Sequence, residues 1–196
     1  MIRTPLRRLV VLATSAVAVA VTAFASSTPA EATTASSCAV SWGSLAKQGP
    51  ATGPVPGALL SNVRAGRQDC YDRLVIDLRG TSAMRSYRVE YVRQVTEDPS
   101  GRPVPLRGSA YLQIAVGAAD HTTSGTPTYA PADRRELAEV TGFSAFRQVA
   151  WAGSFEGISS VGVGLRARLP LRVTTLAGIP GSGTGTRVVI DVAHSW

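Results

Sequence analysis

The 196-residue sequence predicts an all-β fold, a sandwich or small barrel of short, mostly antiparallel strands with little helix. Three observations carry that expectation. Short apolar runs with period-two alternation recur from Leu59 onward. Turn-forming residues punctuate them, as in "EDPSGRPVPL" at 97–106. One strand is also written twice: "YDRLVIDLRG" (71–80) aligns with "TRVVIDVAHS" (186–195), giving Arg73-x-Val75-x-Asp77 and Arg187-x-Val189-x-Asp191. Leu74, Ile76 and Leu78 are answered by Val188, Ile190 and Val192, which are expected to face the core. The Arg and Asp residues then form an outward row, expected to be solvated and to contribute under about 1 kcal/mol through exposed pairing. The echo suggests that the two strands occupy equivalent places in two sheets.

Taken in chain order, the first eight residues carry Arg3, Arg7 and Arg8 and no acid, and Leu9 to Ala25 is uncharged. This reads as a secretory signal peptide over residues 1–32, with small-x-small sites at Ala23-Phe24-Ala25 and Ala30-Glu31-Ala32. The apolar run is near the lower limit for a membrane span, and cleavage would leave no transmembrane anchor. Sec and twin-arginine export both stay open. Residues 33–57 are an N-terminal segment and linker that holds Cys38 and Trp42 and ends in the Pro- and Gly-rich "KQGPATGPVPG". Cys38 and Cys70 are the only cysteines, so an exported chain is expected to join them. Closing a loop of about 33 residues would stabilise by roughly 3–4 kcal/mol on the chain-entropy model.

Residues 58–196 are expected to form one domain. Candidate strands are 59–64, 72–79, 86–95, 109–117, 146–152, 158–166, 170–176 and 187–193. Alternation is clearest in Tyr87, Val89, Tyr91 and in Leu112, Ile114, Val116. "PADRRELAEV" (131–140) is the one helical pattern, and residues 118–136 form a polar insertion of a length that is usually functional or mobile.

Composition narrows the function. Without residues 1–32 the chain keeps seventeen basic and twelve acidic residues, and its formal charge falls from +7 to +5. Nine arginines lie between Arg64 and Arg107, but six acids share the span, and export removes the chain from most nucleic acid, so no nucleic-acid partner is expected. Two cysteines and two dispersed histidines exclude a zinc site, and no cofactor motif is present. "GSFEG" (153–157) misplaces Ser154 for a nucleophile elbow, and "GIPGSGTGT" (178–186) feeds a strand where a phosphate loop would feed a helix. No catalytic set emerges. The candidate ligand-binding residues are the outward row Arg73, Asp77, Arg187 and Asp191, together with Trp151, Phe155 and Glu156, where aromatic rings beside polar groups suit a sugar.

The ordered series "CYDRLVIDL", "SGRPVPL", "FEGISSVGVG" and "VVIDVAH" resembles the bacterial exported AMIN-like domain proteins over nearly all of the chain beyond the signal. The resemblance implies a β-sandwich that acts as a non-catalytic module of the cell envelope and associates with peptidoglycan. Its partner would be a wall glycopolymer or another exported envelope protein, and its location secreted and wall-associated. The alternative is a small exported hydrolase acting on wall glycan or peptide, with Glu156 working beside Asp77 or Asp191; it requires those carboxyls to converge in one cleft.

Overall fold

A computed structural model describes residues 38–49, 57–80, 86–181 and 184–196. The expected signal peptide and its cleavage sites lie outside the described residues. Eleven strands follow one another: β1 (Lys47–Gln48), β2 (Leu59–Arg67), β3 (Tyr71–Arg79), β4 (Tyr87–Val92), β5 (Thr96–Glu97), β6 (Arg102–Pro103), β7 (Ala110–Val116), β8 (Phe146–Phe155), β9 (Ile158–Leu165), β10 (Leu171–Ala177) and β11 (Thr186–Ala193). They form a five-stranded sheet in the order β1-β4-β7-β9-β8, a four-stranded sheet in the order β10-β11-β3-β2, and the small β5-β6 ribbon. All strand pairs in these sheets are antiparallel.

The period-two reading holds for the core-facing set, although β3, β8, β9 and β11 bury much of their other face as well. Leu74, Ile76, Leu78, Val188, Ile190 and Val192 are all buried, and they meet Val89, Leu112, Ile114, Val161, Val163 and Leu165 of the other sheet in one core. Each such side chain contributes about 1.5–3 kcal/mol by leaving water. The result is an all-β sandwich.

The repeated strands do not sit in two sheets. β3 and β11 are neighbours in the four-stranded sheet and pair with each other, Arg73 opposite Asp191 and Arg187 opposite Asp77, with Val75 opposite Val189 at the centre. An antiparallel pair has a local twofold axis, and two copies of Arg-x-Val-x-Asp placed across it set each Arg in register with the other copy's Asp. The duplication is therefore the sequence of a self-complementary strand pair. Val75 and Val189 are buried too, although they lie on the side away from the core.

Three further expectations meet the structure differently. Residues 131–140 contain no helix; instead Leu137 N donates to Val149 O at 2.8 Å and Arg134 O accepts from Trp151 N at 2.7 Å. The segment thus spends its backbone groups on β8, covering an edge that would otherwise template aggregation. The 118–136 insertion is likewise pinned: Ala119 O accepts from Leu60 N at 2.7 Å, and Thr128 Oγ1 donates to Leu60 O at 2.8 Å. Lys47–Gln48, read as linker, pairs with β4.

The outer side of the five-stranded sheet is roofed by residues 94–107. Glycine makes this possible: a Cβ on Gly164 would lie 1.8 Å from Arg107 O, and one on Gly162 would lie 2.8 Å from Val95 Cγ1. The "SVGVG" run of β9 is thus inward valine alternating with outward glycine.

Candidate functional site

On the outer side of the four-stranded sheet the Arg/Asp row is an internal ionic ladder. Arg73 Nε and Nη2 donate to Asp191 Oδ1 and Oδ2 at 2.7 and 2.9 Å, and Arg172 Nε donates to Asp191 Oδ2 at 2.9 Å. Arg64 grips Asp77 in the same two-pronged way, at 3.0 and 3.2 Å. The Asp77 and Asp191 side chains are only 6% and 3% exposed, so the carboxylates of the row are not solvated as expected, while the arginines that hold them, Arg64 and Arg73, remain 41% and 33% exposed. Arg187, cross-strand from Asp77, is held differently: its Nη2 donates to Ala177 O at 3.2 Å while its buried Nε has no partner. Arg172 also stacks over Trp42, with Cζ 4.3 Å from the ring centroid, and Trp42 meets Tyr71 edge-on. The disulfide between Cys38 and Cys70, with Cα atoms 5.1 Å apart, ties the segment that carries Trp42 to the start of β3. The expected Cys38–Cys70 bond is present.

Asp72 is a carboxylate on the core-facing parity of β3 and is fully buried. It accepts from Ala145 N at 2.6 Å, Phe146 N at 2.9 Å and His194 Nε2 at 2.9 Å, which fastens the start of β8 to the opposite sheet. Asp72 was not among the sequence candidates. The signal for it was available: an acid in register with Leu74, Ile76 and Leu78 must be paired if those residues are core.

A concavity that combines aromatic rings with carboxylates lies at the edge of β8. A bulge between Trp151 and Ser154, opposite Val161 and Ser159 of β9, accommodates Gly153 at a φ of 99°. There Asp98 N donates to Ala152 O at 3.0 Å, drawing the β5-β6 ribbon against the bulge. Bulges of this kind redirect side chains at sites. The cleft so formed has a volume of about 420 Å³, and Trp151, Tyr129, Asp98, Asp120, Glu97 and Arg134 line it. Tyr129 and Trp151 make one wall, with ring centroids 5.4 Å apart. Burial pushes the Tyr129 phenol up to about 12, so it stays a proton donor. Asp98 Oδ2 accepts from Ser160 Oγ at 2.8 Å, and Asp120 Oδ1 lies 2.6 Å from His121 Nδ1, so both carboxylates are oriented. Glu97 accepts from Arg102 at 2.7 and 3.1 Å, and that contact holds its carboxyl below the usual range.

Of the sequence candidates, only Trp151 reaches this cleft. Glu156 and Gly157 are the two residues of the β8–β9 turn, both at positive φ (49° and 78°), the backbone a tight hairpin requires. Glu156 is exposed at that tip beside Phe155, which is 46% exposed. Asp77 and Asp191 belong to the other sheet. The carboxyl pair that the hydrolase reading needs does not converge. Among the described residues no cluster of His, Cys, Asp or Glu has the arrangement of a metal site, and no helix is long and apolar enough to cross a membrane.

The cleft, the ladder and four of the five strands of the glycine-roofed sheet fall within one comparison. The family model of the AMIN-like domain matches residues 58–194, beginning just before β2 and ending just after β11. A search of the curated proteins found no match. Cys38, Trp42 and β1 precede the matched span and are joined to it by the disulfide and by pairing with β4. The match extends over well more than half of the sequence, and the chain belongs to the AMIN-like domain family.

Proposed function

We propose that the protein is a non-catalytic, exported module of the cell envelope that binds peptidoglycan or another wall glycopolymer in the cleft at the edge of β8. AMIN-like domains are generally envelope modules that bind peptidoglycan and are typically non-catalytic. The family and the disulfide both point to an extracytoplasmic location.

The observation that carries the reading is the pairing of an aromatic wall with oriented carboxylates in one concavity. A sugar ring has apolar C–H faces and a polar rim. Tyr129, partly exposed, offers surface to the face, with Trp151, 8% exposed and anchored in the core, as its backing, while Asp98 and Asp120 offer acceptors to the hydroxyls. The volume of about 420 Å³ lies within the usual range for small-ligand clefts, roughly 300–1,000 Å³. Hydrolysis would need a carboxyl held protonated as general acid, whereas the Arg102 contact moves the Glu97 carboxyl in the opposite direction.

The test is cosedimentation of the export-processed protein with purified sacculi. The protein should pellet with them, and Tyr129→Ala should weaken pelleting several-fold at a temperature where the variant is shown to be folded. Pelleting no greater than that of an unrelated exported β-domain of similar charge would overturn the proposal. Co-purification of an envelope protein in place of wall would support the partner-protein reading instead.

A further inference from the structure

A second concavity of about 280 Å³ adjoins the cleft. The two share Glu97, Arg134 and Trp151, so they are neighbours with a common wall. Their chemistry differs. Asp98 and Asp120 line the first. The second is floored by Val104, Pro105 and Ala150 and carries Arg135 in addition to Arg134.

Resting on the glycan reading above, we propose that this second concavity receives an anionic substituent, a carboxylate or a phosphate, on the sugar unit whose ring lies against Tyr129 and Trp151. Arg134 has charge to offer. Its Nη2 is 3.4 Å from Glu97 Oε1, long for a charge-assisted bond, and its side chain is 61% exposed. Glu97 is held more closely by Arg102, at 2.7 Å. The backbone beneath both arginines is fixed: Arg134 O accepts from Trp151 N at 2.7 Å, and Arg135 O accepts from Gln148 Nε2 at 2.9 Å. The floor is fixed as well, since Val104 N donates to Val95 O at 2.9 Å between two prolines. Two exposed guanidinium groups rising from anchored backbone beside an apolar floor can converge on a planar or tetrahedral oxyanion. The ring would sit among acceptors that match its hydroxyls, and its charged substituent would cross the Arg134–Glu97 contact and take the place of Glu97 at Arg134.

The experiment measures binding of the export-processed full chain to three preparations: intact walls, walls stripped of phosphodiester-linked polymers by hydrofluoric acid, and stripped walls whose carboxyls have been amidated. Arg134→Gln/Arg135→Gln should weaken binding at least tenfold on the preparations that retain the anion. Glu97→Gln, which removes the competing carboxylate, should strengthen it several-fold, an effect that a merely structural Glu97 would not produce. Arg79→Gln/Arg93→Gln removes the same charge from exposed positions elsewhere and should bind as wild type does. Loss of wild-type binding on acid stripping assigns the phosphate, and loss only on amidation assigns the carboxylate. Undiminished binding by Arg134→Gln/Arg135→Gln, or an equal loss in the Arg79→Gln/Arg93→Gln control, would overturn the anion subsite and leave the glycan cleft standing. Failure of the wild type to bind any wall would overturn both.

Discussion

Arg73 and Arg187 are equivalent in the repeated motif but not in the structure, and truncating each should give unequal losses. Arg73→Ala removes two charge-assisted hydrogen bonds, at 2.7 and 2.9 Å, from an Asp191 side chain that is 3% exposed. Hydrogen bonds to charged groups contribute about 1.5–3 kcal/mol each. Two features reduce the sum: Arg172 Nε still donates to Asp191 at 2.9 Å, and Arg73 is itself a third exposed and screened by solvent. The expected loss is about 1.5–3 kcal/mol, or roughly 3–10 °C in Tm for a domain of this size. Arg187→Ala removes one bond of 3.2 Å to Ala177 O and a buried Nε that has no partner, while Asp77 keeps both prongs of Arg64. That loss should stay under about 1 kcal/mol. Thermal and urea unfolding followed by circular dichroism, with the disulfide intact, measures both. Equal shifts for the two variants would refute the argument that local pairing geometry, and not position in the repeat, sets the energy.

Asp72→Ala strips three partners from a fully buried site and leaves the Ala145 and Phe146 N–H groups unsatisfied, so a loss of about 3–5 kcal/mol is expected by urea unfolding. Gly164→Ala drives a Cβ to 1.8 Å from Arg107 O; the roof over residues 160–164 must lift, and hydrogen exchange at Val104 N and in β9 should accelerate. Acid should also loosen the fold. Arg88 and Arg102 hold the Glu90 and Glu97 carboxyls below their usual values, so their stabilisation is complete above the ordinary carboxylate range, near pH ~4.3, and disappears as pH falls through the lowered values. Unfolding midpoints measured across that window should fall, and less so in high salt, because both pairs lie at the surface.

Much of the sandwich is legible in the sequence because strand parity is local. Leu74-x-Ile76-x-Leu78 declares its inward face without reference to any partner, and the eight candidate strands each overlap an observed one. Pairing is not local. The resemblance of residues 71–80 to 186–195 says that both strands carry the same pattern, but not that they lie side by side; that depends on the whole order of the four-stranded sheet. The helix expected at 131–140 fails because its backbone groups find partners on β8, an interaction that no periodicity encodes. The cleft is less legible still. Glu97, Asp98, Asp120, Tyr129, Arg134 and Trp151 come from three separated segments and meet only because the β8 bulge admits the β5-β6 ribbon on one side and the insertion on the other. The candidate Trp151 and the polar insertion were the local signs, and the insertion's Tyr129 completes the wall against Trp151.

Amide chemical-shift mapping of the isotopically labelled protein with soluble wall fragments tests the proposed binding surface most directly. Perturbations should saturate with ligand and cluster at 97–98, 120, 129–135 and 151–154. Perturbations centred instead on Trp42, Tyr71, Arg73 and Asp191, or none at ligand concentrations where intact sacculi retain the protein, would contradict it.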